Sequence, residues 1–200
     1  VDLELWDSLF TGVEYTDIKD VLDDLHRSVK VLRSWDLAEP DEPWMVYFIA
    51  VLHRTDWETA AAICARYNLN KRQVEKVYSA LNEWEKAVEA LRGPGELTTS
   101  DLARRVMAVP RECYPLILAN LSDNAARRRF RQVLSAICYD KPSINGKDLR
   151  NLGFQPGPAF KKALDAVWQA RLDGVVRTRE EELSYVKEYL SSYEGAIKSV

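Results

Sequence analysis

The sequence predicts an all-α chain, a multi-helix body followed by a smaller helical tail. Three observations carry that prediction. Apolar residues recur every three or four positions along most of the length, period-two alternation is scarce, and capping residues, glycines and prolines punctuate the pattern at helical intervals. With 200 residues, 46% hydrophobic and 30% charged, the chain carries enough apolar material to fold without metal or disulfide support.

The elements follow in order. Ile18, Val21, Leu22, Leu25, Val29, Leu32 and Trp35 trace one stripe of a long helix, with Asp17 and Asp20 at its positive dipole end. Pro40-Asp41-Glu42-Pro43 interrupts it. Residues 44–52 are a nearly unbroken apolar run, too short for a bilayer and suited to a buried helix. Asp56 caps an alanine-rich helix over 57–67. Asn70 starts a helix through Val74, Val77, Leu81, Trp84, Val88 and Leu91, ended by Gly93-Pro94-Gly95, with a possible sub-boundary near 92–97. Thr98-Thr99-Ser100-Asp101 caps 102–107, Pro110 opens a helix through 121, and Asp123 starts 125–138, which stops before Pro142. The tail holds a short helix between Ile144 and Gly153, a turn at 154–158, a helix over 159–172, Gly174, and a helix from about 179 to 193. The expected domains are a body, 1–140, and a tail, 141–200.

The formal net charge is −3 but unevenly spread. Residues 1–60 carry 5 Lys/Arg against 14 Asp/Glu, residues 61–140 carry 13 against 9, and residues 141–200 carry 10 against 8. A basic latter part suits an acidic partner, although on charge alone solvated helix faces are the better account of the gradient. Cys64, Cys113 and Cys138 are odd in number, widely spaced and set among apolar neighbours, which suits free thiols in a reducing cytoplasm. No leader and no membrane span are expected. The opening Val1-Asp2-Leu3-Glu4-Leu5-Trp6 reads like the interior of a longer protein.

Catalytic chemistry is hard to place. The only histidines are His26 and His53. His53-Arg54-Thr55-Asp56 lacks the adjacent His-Asp pair and further histidines of a metal-dependent phosphohydrolase, so His53 reads as a helix-end histidine and no metal is expected. There is no nucleophile elbow, phosphate loop or dinucleotide fingerprint. Asp20, Asp23 and Asp24 fit a solvated helix face. No catalytic residue is assigned.

Two features suit a polyanion. In Arg127-Arg128-Arg129 with Arg131, consecutive positions sweep around a helix, so only Arg127 and Arg131 share a face, while Phe130 and Leu134 turn to the core. The second feature spans 144–158. A short helix starts at Asn145/Gly146 and stops at Gly153, and a second has Pro158 at its first position, where the missing amide hydrogen costs nothing. Two helix starts thus come close together, unobstructed at Gly146 and Gly157, with Lys147, Arg150, Lys161, Lys162 and Arg171 nearby to receive phosphate. The alternative is that these glycines and prolines only build a compact corner.

The run Ile144–Pro158, with Ala163-Leu164, Gln169-Ala170-Arg171-Leu172-Asp173-Gly174 and Thr178-Arg179-Glu180-Glu181-Glu182-Leu183, resembles the C-terminal region of bacterial class II tRNA nucleotidyltransferases and poly(A) polymerases of the polymerase-β superfamily. Pro43-Trp44-Met45-Val46-Tyr47-Phe48 with Ile49-Ala50-Val51-Leu52 resembles the body of that family. The resemblance implies a body and tail that hold the acceptor/TΨC side of tRNA for a catalytic head. That head and a base-selecting neck, with Mg²⁺ and ATP or CTP, would belong to the rest of the same cytoplasmic polypeptide, because neither the Gly-Ser and D-x-D motifs nor a neck motif is found here. On this reading the chain alone extends no RNA, and its RNA contacts are Gly146, Lys147, Arg150, Gly157, Lys161, Lys162 and Arg171, with Arg127 and Arg131 next. The competing expectation is a helical protein–protein interaction or scaffold domain without RNA contact.

Overall fold

The structure, a computed structural model, describes residues 3–13, 15–37, 39–93 and 97–198. Among them are eleven α-helices and one 3-10 turn, and no strand. In order they are α1 (Leu3–Leu9), α2 (Tyr15–Trp35), α3 (Pro43–Leu52), α4 (Trp57–Arg66), α5 (Lys71–Arg92), α6 (Thr99–Met107), the 3-10 turn Arg111–Cys113, α7 (Tyr114–Asn120), α8 (Asn124–Tyr139), α9 (Gly146–Asn151), α10 (Pro158–Leu172) and α11 (Arg179–Lys198). The side chains of Asp17 and Ile18, and Pro94 and Gly95, lie outside the described residues. Residues 1–97 with 101–134 form one compact unit, and 98–100 with 135–200 form a second.

In the first unit α3 and α7 are apolar on nearly every side and are buried accordingly, from Met45 to Leu52 except the exposed Tyr47 and from Tyr114 to Leu118. The amphipathic α2 packs on both of them through Leu25 and Leu32. α5 turns Val77, Ala80, Trp84, Ala87, Val88 and Leu91 inward against α3, α4 and α7. Phe130 of α8 is fully buried, with edge contacts to Trp35 at 6.4 Å and Tyr114 at 5.9 Å. Leu134 is buried one turn further on.

The caps act as their residue types dictate. Asp56 accepts the Thr59 amide at 2.8 Å, and Asp123 accepts the amides of Ala125 and Ala126. These backbone donors hold both carboxyls below their ordinary range. Asn70 and Gln73 form a reciprocal capping box. Some boundaries differ from expectation: α6 starts at Thr99, inside the expected cap, and α11 runs on to Lys198. The segment after Pro110 begins as a 3-10 turn, and the α-helix starts only at Tyr114, next to Pro115, whose ring supplies no amide hydrogen to the first turn.

Charge also enters this core. Glu112 is 1% exposed, and its Oε1 lies 2.5 Å from Lys76 Nζ, which also reaches Glu42 Oε2 at 3.0 Å. Glu42 in turn accepts from Gln73 Nε2 at 2.6 Å. Burial by itself would lower the Lys76 pKa, but the two carboxylates overcome it and hold the ammonium above its ordinary value. Cys64 and Cys113 are buried, Cys138 is half-buried, and all three are free. Burial pushes the Cys64 and Cys113 thiols up, away from reactivity.

The second unit packs α9, α10 and α11 around Ile144, Leu149, Ala163, Val167, Val186 and Leu190. Phe154, Phe160, Leu183, Tyr185 and Tyr189 close over that cluster. No helix among the described residues is long and apolar enough to cross a membrane.

His53 does stand at a helix end, at the C-cap of α3, yet it is buried. Its Nδ1 lies 2.7 Å from the Ala50 carbonyl oxygen, and its ring meets Trp84 edge-on at 5.3 Å. Burial outweighs that carbonyl and lowers the pKa below the ordinary 6.5. The unfolded chain therefore binds the proton more readily, so His53 contributes stability above about pH 6.5 that is lost as pH falls through the folded value. Urea midpoints should drop between about pH 7 and about pH 5, and His53→Gln should flatten that part of the profile. An unchanged slope in the variant would assign the acid sensitivity to another group.

Candidate functional site

The two helix starts singled out in the tail are neighbours. A carbon added at Gly146, the first residue of α9, would lie 3.8 Å from Cδ2 of Phe160 in the first turn of α10. Their electrostatics differ sharply. At α9, Asn145 accepts the Lys147 amide at 2.8 Å, and Asp148 reaches back to the Asn145 amide at 2.8 Å. That capping box gives the Lys147 amide to the Asn145 side-chain oxygen and the Asn145 amide to a carboxylate. Asp148 lies in turn 2.5 Å from Arg179, and these donors hold its carboxyl below the ordinary range. The α9 start is closed to an incoming anion.

At α10 no side chain caps the helix. Gly157 is exposed, its backbone is extended at φ −179°, and nothing lies within 4 Å of a carbon placed there. Pro158 at the first position supplies no amide hydrogen. Lys161 and Lys162 stand exposed on the opening turn, and Lys147 is exposed on the neighbouring α9. Arg150 is exposed, with its Nε 3.4 Å from the Gly146 carbonyl. Of the two expected starts, one thus remains open to a phosphate, flanked by lysines.

Arg171 behaves differently from the surface cations. Its Nη1 donates to Glu182 Oε1 at 2.7 Å and to the Arg177 carbonyl at 3.1 Å. Glu182 is fully buried, and its other oxygen accepts the amides of Ser143 at 2.8 Å and Ile144 at 3.2 Å. Arg171 therefore ties the end of α10 to the start of α11 and positions the corner. Arg127 and Arg131 belong to the first unit, apart in the chain from the tail cluster. Arg127 Nε donates to the Leu121 carbonyl, and the Arg131 guanidinium sits 5.7 Å from the Trp35 ring centroid. Both remain exposed. Arg129, off the face shared by Arg127 and Arg131, donates to the carbonyls of Leu91 and Gly93 at the end of α5.

Two residues escaped the sequence reading. Asp173 caps the start of α6 from across the unit, accepting the Ser100 amide and hydroxyl, each at 2.8 Å. Nothing local marks that pairing. Glu182 did leave a signal: with Val186 and Leu190 it steps by four along one face, and all three are buried. The remaining motif residues build the corner. Thr178 and Glu181 cap α11 reciprocally, and Gly153 and Gly174 take the left-handed conformation, φ +91° and +72°. Among the described residues no group of three or more His, Cys, Asp or Glu side chains is placed to hold a metal ion.

No protein-family model matches the chain. It is 26% identical over 167 residues to the A-adding tRNA nucleotidyltransferase of Geobacter sulfurreducens, which covers 82% of this chain and 19% of that protein. In structure it is similar to the Thermotoga maritima CCA-adding enzyme complexed with tRNA, with a TM-score of 0.76, 23% identity, and coverage of 94% of this chain and 45% of that one. A CCA-adding enzyme in complex with ATP matches with a TM-score of 0.71 at 25% identity, over 94% of this chain and 43% of that one. The likeness read from the tail motifs thus extends over most of the chain. The chain spans about a fifth of the length of the curated relative and under half of the solved ones.

Removing the buried acceptor should unfold the corner. Glu182→Ala strands Arg171 and two amides, and should cost roughly 3–5 kcal/mol in denaturant unfolding of the intact chain. Lys147→Ala and Lys161→Ala should stay within about 0.5 kcal/mol of the parent. Equal effects from the three variants would show that Glu182 is no keystone.

Proposed function

We propose that this chain is the RNA-holding part of a nucleotidyltransferase that extends the 3′ end of tRNA or a related RNA. The observation that carries this reading is the sequence likeness to an A-adding tRNA nucleotidyltransferase over 82% of the chain. The open α10 start supports it, because a polyanionic backbone is the ligand that an uncapped helix end and neighbouring lysines suit best.

Lys161, Lys162 and Lys147 supply the leading phosphate contacts around Gly157, and Arg150 adds to them beside Gly146. Arg127 and Arg131, on the other unit, provide further phosphate contacts. Arg171 contributes by holding the corner in shape. Most contacts fall on phosphate and sugar, since the major groove of an A-form stem is too deep and narrow for side chains to read. Nucleotidyl transfer, with its Mg²⁺ and ATP or CTP, belongs to a head and neck elsewhere in the same cytoplasmic polypeptide. The choice among CCA, A and poly(A) addition belongs there too.

Binding of tRNA by this chain should weaken steeply with salt, with a log–log slope of about −0.7 to −0.9 per phosphate neutralised. A flat salt response would overturn the reading and favour a protein-docking role. Gly157→Asp separates binding from folding. Its carboxylate should cap α10 and raise stability by a few tenths of a kcal/mol, while lowering tRNA affinity about fivefold or more by occupying the anion's place. Unchanged affinity in a more stable variant would remove α10 from the interface.

A further inference from the structure

The tail surface leaves a second feature of the molecule unused. In the first unit a cavity of about 120 Å³ opens between α2, α3 and the connection that joins them. At about 30 Å³ per water that is room for roughly four waters, and the slot is open at its rim. Its walls are apolar, formed by Val29, Leu32, Pro40, Pro43, Val46 and Pro115. Its polar groups are few and sorted. His26, Lys30 and Arg33 stand four and three residues apart, on one face of α2. Glu39 and Tyr47 complete the rim.

Among the described residues Lys30, Arg33 and Glu39 have no hydrogen-bond or ion-pair partner. His26 Nδ1 and the Tyr47 hydroxyl are 3.5 Å apart, at the limit of a hydrogen bond, so both keep capacity for a ligand. Neighbouring cations on one helix face repel one another, and Glu39 is the one carboxylate among the described residues that shares their cavity. A ligand that brings negative charge to Lys30 and Arg33 and a flat apolar body to the prolines and Tyr47 answers both features. A simple aromatic carboxylate would leave Glu39 unanswered. A nucleobase with an exocyclic amine supplies the donor that Glu39 lacks.

We propose that this cavity binds one nucleotide, with the base in the apolar slot and the phosphate at Lys30 and Arg33. The inference deepens the reading of the chain as an RNA holder, and rests on that reading only for where the nucleotide comes from. It is either a free mononucleotide or an unpaired residue of the bound RNA.

The test uses the whole chain, titrated with AMP, with adenosine, and with a short single-stranded oligoadenylate competing against AMP. AMP should bind in the millimolar range or tighter, and at least tenfold more strongly than adenosine. Lys30→Ala with Arg33→Ala, both on the surface, should reduce AMP to the level of adenosine. Val29→Trp, which fills the slot, should abolish binding of both. Displacement of AMP by the oligomer supports an unpaired RNA residue as the occupant, and binding of AMP without displacement supports the free nucleotide. Lys161→Ala with Lys162→Ala should weaken tRNA binding and leave AMP binding untouched, which keeps failure of the tail reading distinct from failure of this one. No AMP binding to a folded chain, or AMP binding indifferent to both sets of cavity variants, would overturn the proposal.

Discussion

The tail depends on one buried carboxylate. Glu182 has no access to solvent, and its oxygens accept from Arg171 and from the amides of Ser143 and Ile144. A charge in that position is tolerable only when every lone pair it presents is answered. It therefore constrains three segments together: the strand of chain entering α9, the last turn of α10 and the first turn of α11. Arg179 adds a second tie, to the Ser143 carbonyl and the Asp148 carboxylate. Those ties fix the entry to α9 against the end of α10 and the start of α11.

The difference between those two starts is chemical rather than geometric. Both helices start at a packed corner, and both begin beside a glycine. Asn145 and Asp148 spend their side chains on the α9 amides, whereas Gly157 has no side chain to spend. A helix that caps itself with a carboxylate has little to offer an anion, while one with no side-chain cap leaves its positive dipole end open to one. The motifs that carry the family likeness are thus divided between architecture and surface. Arg171, Asp173, Gly174, Glu181 and Glu182 build the corner, and the lysines around Gly157 face outward.

The body solves the burial of charge in the same way on a smaller scale. Glu112 enters the core beside Lys76, and Glu42 and Gln73 complete the set. His53 takes the opposite course, giving up its charge to burial and pairing its ring with the Ala50 carbonyl and the Trp84 edge. Along α2, Lys30 and Arg33 line an apolar opening between that helix and α3.

The helices and their order were legible in the sequence because periodicity, caps and breakers act over a few residues. Asp56, Asn70, Asp123 and Asn145 each cap the helix that follows, and Pro158 opens α10 as its ring geometry demands. Exposure of Lys147, Lys161 and Gly157 was legible for the same local reason. The partners were not. That Arg171 is consumed by Glu182, Arg129 by two carbonyls and Ser100 by Asp173 depends on residues 11, 36, 38 and 73 positions apart in the chain. Hydrogen bonds over such separations exist only once the helices have packed, so tertiary structure alone decided which cations remain available to a ligand and which are part of the scaffold.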